Sequence, residues 1–157
     1  MTTLVPTTES VSTPRARATG RVEGASRYLA VAGRALYSIL FILAAPQLFS
    51  SATIAYAAQR GVPLSGLAVP LAGVIALAGG LSILLGYRAR VGAWLIVLFL
   101  VPVTLWMHRF WAVSDPMQAQ IEQVMFMKNV SMLGAALLIA RFGAGPISLD
   151  ARREAQT

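Results

Sequence analysis

Cysteine is absent from this 157-residue chain, and histidine occurs once, at His108. Without a thiol there is no disulfide, no thiolate metal site and no cysteine nucleophile. A single imidazole excludes a multi-histidine metal centre and a bis-histidine haem. Charge is scarce as well. Charged residues make up 12% of the chain and hydrophobic ones 57%, whereas an average soluble domain is about 25% charged. That balance marks a membrane protein. Acids are the scarcest group, six against thirteen basic residues, for a net charge of +7. The excess does not point to nucleic acid, because the arginines flank apolar segments instead of lining one face. No acid is expected inside a span, so a carboxylate proton relay or cation antiporter has no candidate residue. No nucleophile–base pair, metal-ligand cluster or phosphate-cradling glycine loop is visible, and an autonomous enzyme is not expected.

What is present is a series of apolar runs, each about as long as a helix needs to cross a hydrocarbon core. They predict an all-α membrane protein, a four-transmembrane-helix bundle. Residues 1–27, rich in Thr, Ser, Pro and Arg, read as a disordered basic cytoplasmic tail. The membrane domain covers residues 28–147, with spans at about 32–50, 67–85, 91–107 and 121–142. Residues 148–157 form a short polar cytoplasmic tail. Arg34 is expected to snorkel at the inner end of span one, and Pro46 to kink its outer end. Residues 51–63 are too polar to span, and Ile54, Ala57 and Ala58 recur at helical spacing. They predict a short interfacial helix between helices 1 and 2, ended by Gly61 and Pro63. In span two, Ala68, Ala72, Ala76 and Gly80 form a small-residue stripe that admits a close neighbour helix. Ser114-Asp115-Pro116 reads as the start of the last helix, with Asp115 as N-cap. Ten arginines fall on one side of these spans and only Arg60 and Arg109 on the other, with Lys128 inside. The positive-inside rule then sets both termini in the cytoplasm, N-in and C-in.

The last apolar run, residues 124–142, contains Lys128 and Asn129. A lysine at bilayer depth costs about 2.5–3.5 kcal/mol, less if it snorkels, so it is expected to face a bundle interior or a wet cavity. Gln47, His108, Glu122 and Gln123 lie toward the same outer leaflet, and Thr104, His108 and Trp111 share one face by their i, i+4, i+7 spacing. Gln47, Thr104, His108 and Trp111 with Lys128 and Asn129 predict an outer-leaflet polar pocket that would receive a polar headgroup, a quinone carbonyl or an anionic small molecule. The plain reading of each stands beside it. His108 can be an interfacial anchor, Lys128 a donor to carbonyls freed near Pro46 or Pro102, and Asn129 an interhelical hydrogen bond.

The order of motifs resembles the DoxX family of small bacterial four-helix membrane proteins, over about residues 33–150. The resemblance rests on Gly33-Arg34, Gly61-Val62-Pro63, Gly79-Gly80-Leu81-Ser82-Ile83-Leu84-Leu85-Gly86-Tyr87 and His108-Arg109-Phe110-Trp111. It rests also on Lys128-Asn129 followed by Met132-Leu133-Gly134, and on Gly145-Pro146-Ile147-Ser148-Leu149-Asp150. It implies a multi-pass protein of the bacterial inner (plasma) membrane associated with quinone- or thiol-linked redox systems. Two family features are missing: Gln47 stands where members often carry a lysine, and Ala76 where they often carry a glutamate.

Three functions follow as expectations. The first is a non-catalytic accessory subunit of a membrane oxidoreductase system, with quinone as a ligand of the Lys128 pocket and no intrinsic cofactor. The second is a structural or stress-related module with no ligand, in which polar residues only fix helix packing. The third is a small-molecule transporter. Partners on these readings are the lipid bilayer, oxidoreductase subunits or further copies of the chain, and not nucleic acid.

Overall fold

A computed structural model describes residues 14–156, with side chains from Arg27 onward. Among the described residues, four helical stretches are long and apolar enough to cross a membrane: Arg27–Phe49, Ser65–Leu85, Ala89–Ala112 and Pro116–Phe142. The four-helix expectation holds.

Helix α1 (Pro14–Ala44) is 31 residues long, about 46 Å at the helical rise and longer than a hydrocarbon core of about 30 Å. The expected tail 1–27 is therefore corrected in part: residues 14–27 are helical, and residues 1–13 lie outside the described ones. A segment of this composition stays unfolded only when it stands alone. Joined to a membrane span it needs no nucleation, only propagation through Arg, Ala and Glu, which favour helix. At the outer end, Pro46 does more than kink the helix. The α-helix stops at Ala44 and a 3₁₀ turn, Ala45–Phe49, replaces it.

Ser50 then caps α2 (Ser51–Gln59), its hydroxyl accepting from Thr53 N at 3.2 Å. This is the expected short helix between the first two spans. Gly61, at φ +78°, reverses the chain into α3 (Ser65–Leu85). Gly86 and Arg88, both left-handed, make the tight turn to α4 (Ala89–Met107). After a short 3₁₀ turn, Phe110–Ala112, Asp115 caps α5 (Pro116–Phe142) through Gln118 N at 2.7 Å. The expected polar tail is also ordered: Ser148 caps a short α6 (Leu149–Glu154).

α3 packs between α1 and α4, and α4 between α3 and α5. Glycine sets the spacing. A Cβ on Gly79 would meet Ile96 Cδ1 at 2.8 Å and the Gly92 carbonyl oxygen at 2.9 Å, so α3 and α4 touch backbone to backbone. Gly80 does the same toward α1, with Ile42 Cγ1 at 3.1 Å. In the expected small-residue stripe, Ala76 and Gly80 are buried, while Ala68 and Ala72 are half-buried. The core gathers Phe41, Ile83, Ala93, Ile96, Leu100 and Ala136, with Tyr37 and Met132 against it. Tyr37 closes the bundle by donating to the Met132 carbonyl at 2.9 Å, tying α1 to α5.

A buried carboxylate at the outer end of the bundle

The buried residues of α5 are Glu122, Asn129 and Ala136. They recur every seven positions, the spacing that keeps one seam of a helix against its neighbours. Glu122 is only 4% exposed. A carboxylate buried near the outer end of a membrane helix is tolerated only if its charge and lone pairs are met. The ends of two other helices supply donors, and α5 itself adds a third.

Tyr56 and Arg60 sit at i and i+4, so they share a face of α2 and its C-cap. Arg60 Nη2 donates to the Tyr56 hydroxyl and to Glu122 Oε1. His108, just past the end of α4, offers Nδ1 to Glu122 Oε2 at 2.9 Å. An ionised carboxylate only accepts, so this nitrogen carries the proton. Gln118, one turn up α5, adds Nε2 at 3.3 Å. Arg109 braces the cluster by donating to the Arg60 carbonyl at 2.6 Å, at the C-terminal end of α2. Burial pulls the Arg60 guanidinium down, but its hydrogen bonds to Tyr56 and Glu122 outweigh this and leave it above the usual arginine value. It stays charged across the working pH range.

The polar pocket expected around Lys128 is not assembled. Lys128 is exposed on the lipid-facing side, and its ammonium lies 3.3 Å from Met125 Sδ on its own helix. Asn129, one residue on, is buried. Neighbours in sequence are about 100° apart on a helix, and Asn129 shares the inward seam with Glu122 and Ala136. Gln47 is exposed in the 3₁₀ turn. Thr104 is buried, but its hydroxyl donates to the Leu100 carbonyl of the same helix at 2.6 Å. Trp111 is exposed and stacks edge-on with Phe110 and Phe126. Of the expected set, only His108 is bonded to the buried acid. The expectation that no acid lies inside a span is corrected by Glu122, whose signal was the seven-residue spacing to Asn129 and Ala136.

A second polar cluster closes the inner end. Arg34 does not snorkel; it is 7% exposed and donates from Nη2 to the Ile147 carbonyl at 2.6 Å. Asp150 accepts from Arg88 N at 2.7 Å and Ala89 N at 3.0 Å, capping α4 from the far end of the chain. Its own N–H donates to the Gly86 carbonyl at 2.8 Å. Among the described residues no group of three or more His, Asp or Glu is placed to hold a metal.

The SURF4 family model matches residues 12–155 of the chain. Inner membrane protein YphA of Escherichia coli (strain K12) is 33% identical over 132 residues, covering 82% of this chain and 94% of that protein. Inner membrane protein YqjF of the same organism is 33% identical over 119 residues, 74% of this chain and 85% of its own. No solved structure matches. These findings replace the expected DoxX assignment: the matching model is that of a different family, and neither relative bears the DoxX name. Part of that resemblance, Gly79-Gly80 and the turns at Gly86 and Gly145, is close packing and tight turning that a four-helix membrane bundle can use whatever its family. The chain belongs to the SURF4 family and is a multi-pass protein of the bacterial inner membrane.

Proposed function

We propose that the chain is a non-catalytic inner-membrane subunit that joins a second membrane protein through the α5 face carrying Lys128. The observation behind this reading is the exposed ammonium itself. It stands on a membrane helix, and its polar neighbour among the described residues is the Met125 thioether. A charge so placed is costly in lipid, and intramembrane lysines normally meet a carboxylate or a carbonyl. The fitting partner is a different chain with an Asp or Glu at matching depth. A two-fold dimer through this face would set Lys128 against its own copy, which like-charge repulsion disfavours.

The test is co-purification in mild detergent. A membrane protein should travel with the native chain and with Lys128→Arg, and be lost from Lys128→Met. Neutralising the partner's intramembrane acid should release it too. A native chain that purifies alone, or a partner that Lys128→Met retains, overturns the reading.

The redox association expected from the DoxX resemblance loses its support with that resemblance. A second reading, a ligand-free packing module, draws on Glu122, whose charge is committed to Arg60 and His108. The same co-purification separates the two.

A further inference from the structure

The inner end of the bundle contains a groove of about 550 Å³ between the α3–α4 turn and the C-terminal segment. Its walls include Arg88, Arg90 and Arg153, and its floor is the 143–146 loop. Arg88 and Arg153 both lie against the Tyr87 ring, 5.9 Å and 5.5 Å from its centroid. Arg90 lies over Gly143, its Nε 3.5 Å from where a Cβ would sit. Three arginines thus line one concavity. Two acids also line it, Asp150 and Glu154. Asp150 spends both oxygens on the Arg88 and Ala89 amides, so its charge faces the start of α4.

More positive charge stands behind the wall. Arg34 is buried, and its Nε and Nη1 have no hydrogen-bond partner. A Cβ on Gly86 would meet Arg34 Nη1, Ser148 and Ala144 together, and the last two line the groove. At the membrane side lies Phe142, 72% exposed. Basic and concave at the headgroup level, apolar toward the acyl chains, the groove has the make-up of a site for a phosphate group. Guanidinium groups take phosphate oxygens in pairs, and basic pockets on the cytoplasmic side suit anionic headgroups.

We infer that this groove binds a phosphate-bearing anion through Arg88, Arg90 and Arg153, supplied either by an anionic phospholipid headgroup or by free phosphate. Diffuse attraction by the arginine-rich inner rim is the competing explanation, and Arg141 separates the two. It is exposed in the last turn of α5 and does not line the groove.

The experiment is native mass spectrometry of the full chain in neutral detergent, mixed with equal phosphatidylglycerol and phosphatidylcholine. The native chain should retain phosphatidylglycerol preferentially. The double variant Arg90→Gln/Arg153→Gln should weaken that preference by about fivefold for each charge removed, whereas Arg141→Gln should leave it unchanged. Should the double variant lose its helical content, each single variant reads the same preference at about fivefold. In a second arm, inorganic phosphate is added at millimolar concentration. Displacement of the lipid points to free phosphate as a ligand of the site, and retention to the lipid headgroup. Equal retention of the two lipids, or an Arg141→Gln effect as large as that of the groove variants, overturns the inference.

Discussion

Glu122 is held by an arginine, a histidine and a glutamine, none of which is near it in sequence except Gln118. Removing one member of a buried ion pair leaves the other uncompensated, at about 3–5 kcal/mol. Glu122→Gln should therefore lower the melting temperature in detergent sharply. His108→Gln, which removes one hydrogen bond and leaves the Arg60 pair, should cost about 1–3 kcal/mol. Replacing both charges, Arg60→Met with Glu122→Met, should cost less than Glu122→Met alone, as a double-mutant cycle of thermal melts will show. The cost of a side chain in lipid does not by itself set which face of α5 turns inward, as Lys128 shows. Helix geometry allows only one of Lys128 and Asn129 to face inward, and the seam Glu122, Asn129, Ala136 decides for Asn129. That seam was legible; Arg60 and Glu122, 62 positions apart, were not, because only the folded α2 brings them together.

Glycine contacts separate one helix position from another. Gly79 and Gly92 sit where α3 and α4 meet: a Cβ on Gly92 would find Ser82 Oγ at 2.5 Å and the Gly79 carbonyl oxygen at 3.0 Å. Gly79→Ala should cost about 1–3 kcal/mol, since the atoms it meets include backbone that cannot step aside. Gly134, on α5, has nothing within 4 Å of its Cβ position. There Gly134→Ala should raise stability by about 0.5–1 kcal/mol through helix propensity. Thermal melts of the two variants side by side check both signs. Element positions were readable from hydropathy and proline, including the Asp115 cap and the short α2. The two ends were not. Helix α1 continues well past the apolar run, and residues 148–150 clasp the α3–α4 turn. Both depend on contacts or continuity that composition does not carry. Asp150→Ala removes the cap of α4, with an expected loss of about 0.5–2 kcal/mol in the same assay.

At the scale of the molecule, four helices are closed at the outer end by Glu122 and its donors and at the inner end by Arg34 and Asp150. Between them the interior is mainly apolar, with Ser38, Thr104 and Asn129 buried in it, and Lys128 is a charge that belongs to neither cluster, exposed on α5. Its ammonium meets Met125 Sδ on its own helix. Lys128→Met should therefore leave the isolated chain as stable as before or make it more so, while abolishing association with the proposed partner. The rotational setting of α5 is what both expectations depend on. The most direct measurement uses the absence of native cysteine: nitroxide labels at Lys128→Cys and at Asn129→Cys, read by electron paramagnetic resonance in liposomes. A label at 128 that is mobile and open to lipid-dissolved oxygen, beside an immobilised and shielded label at 129, is the predicted result. The reverse pattern, with 128 shielded inside the bundle and 129 open to lipid, would contradict it.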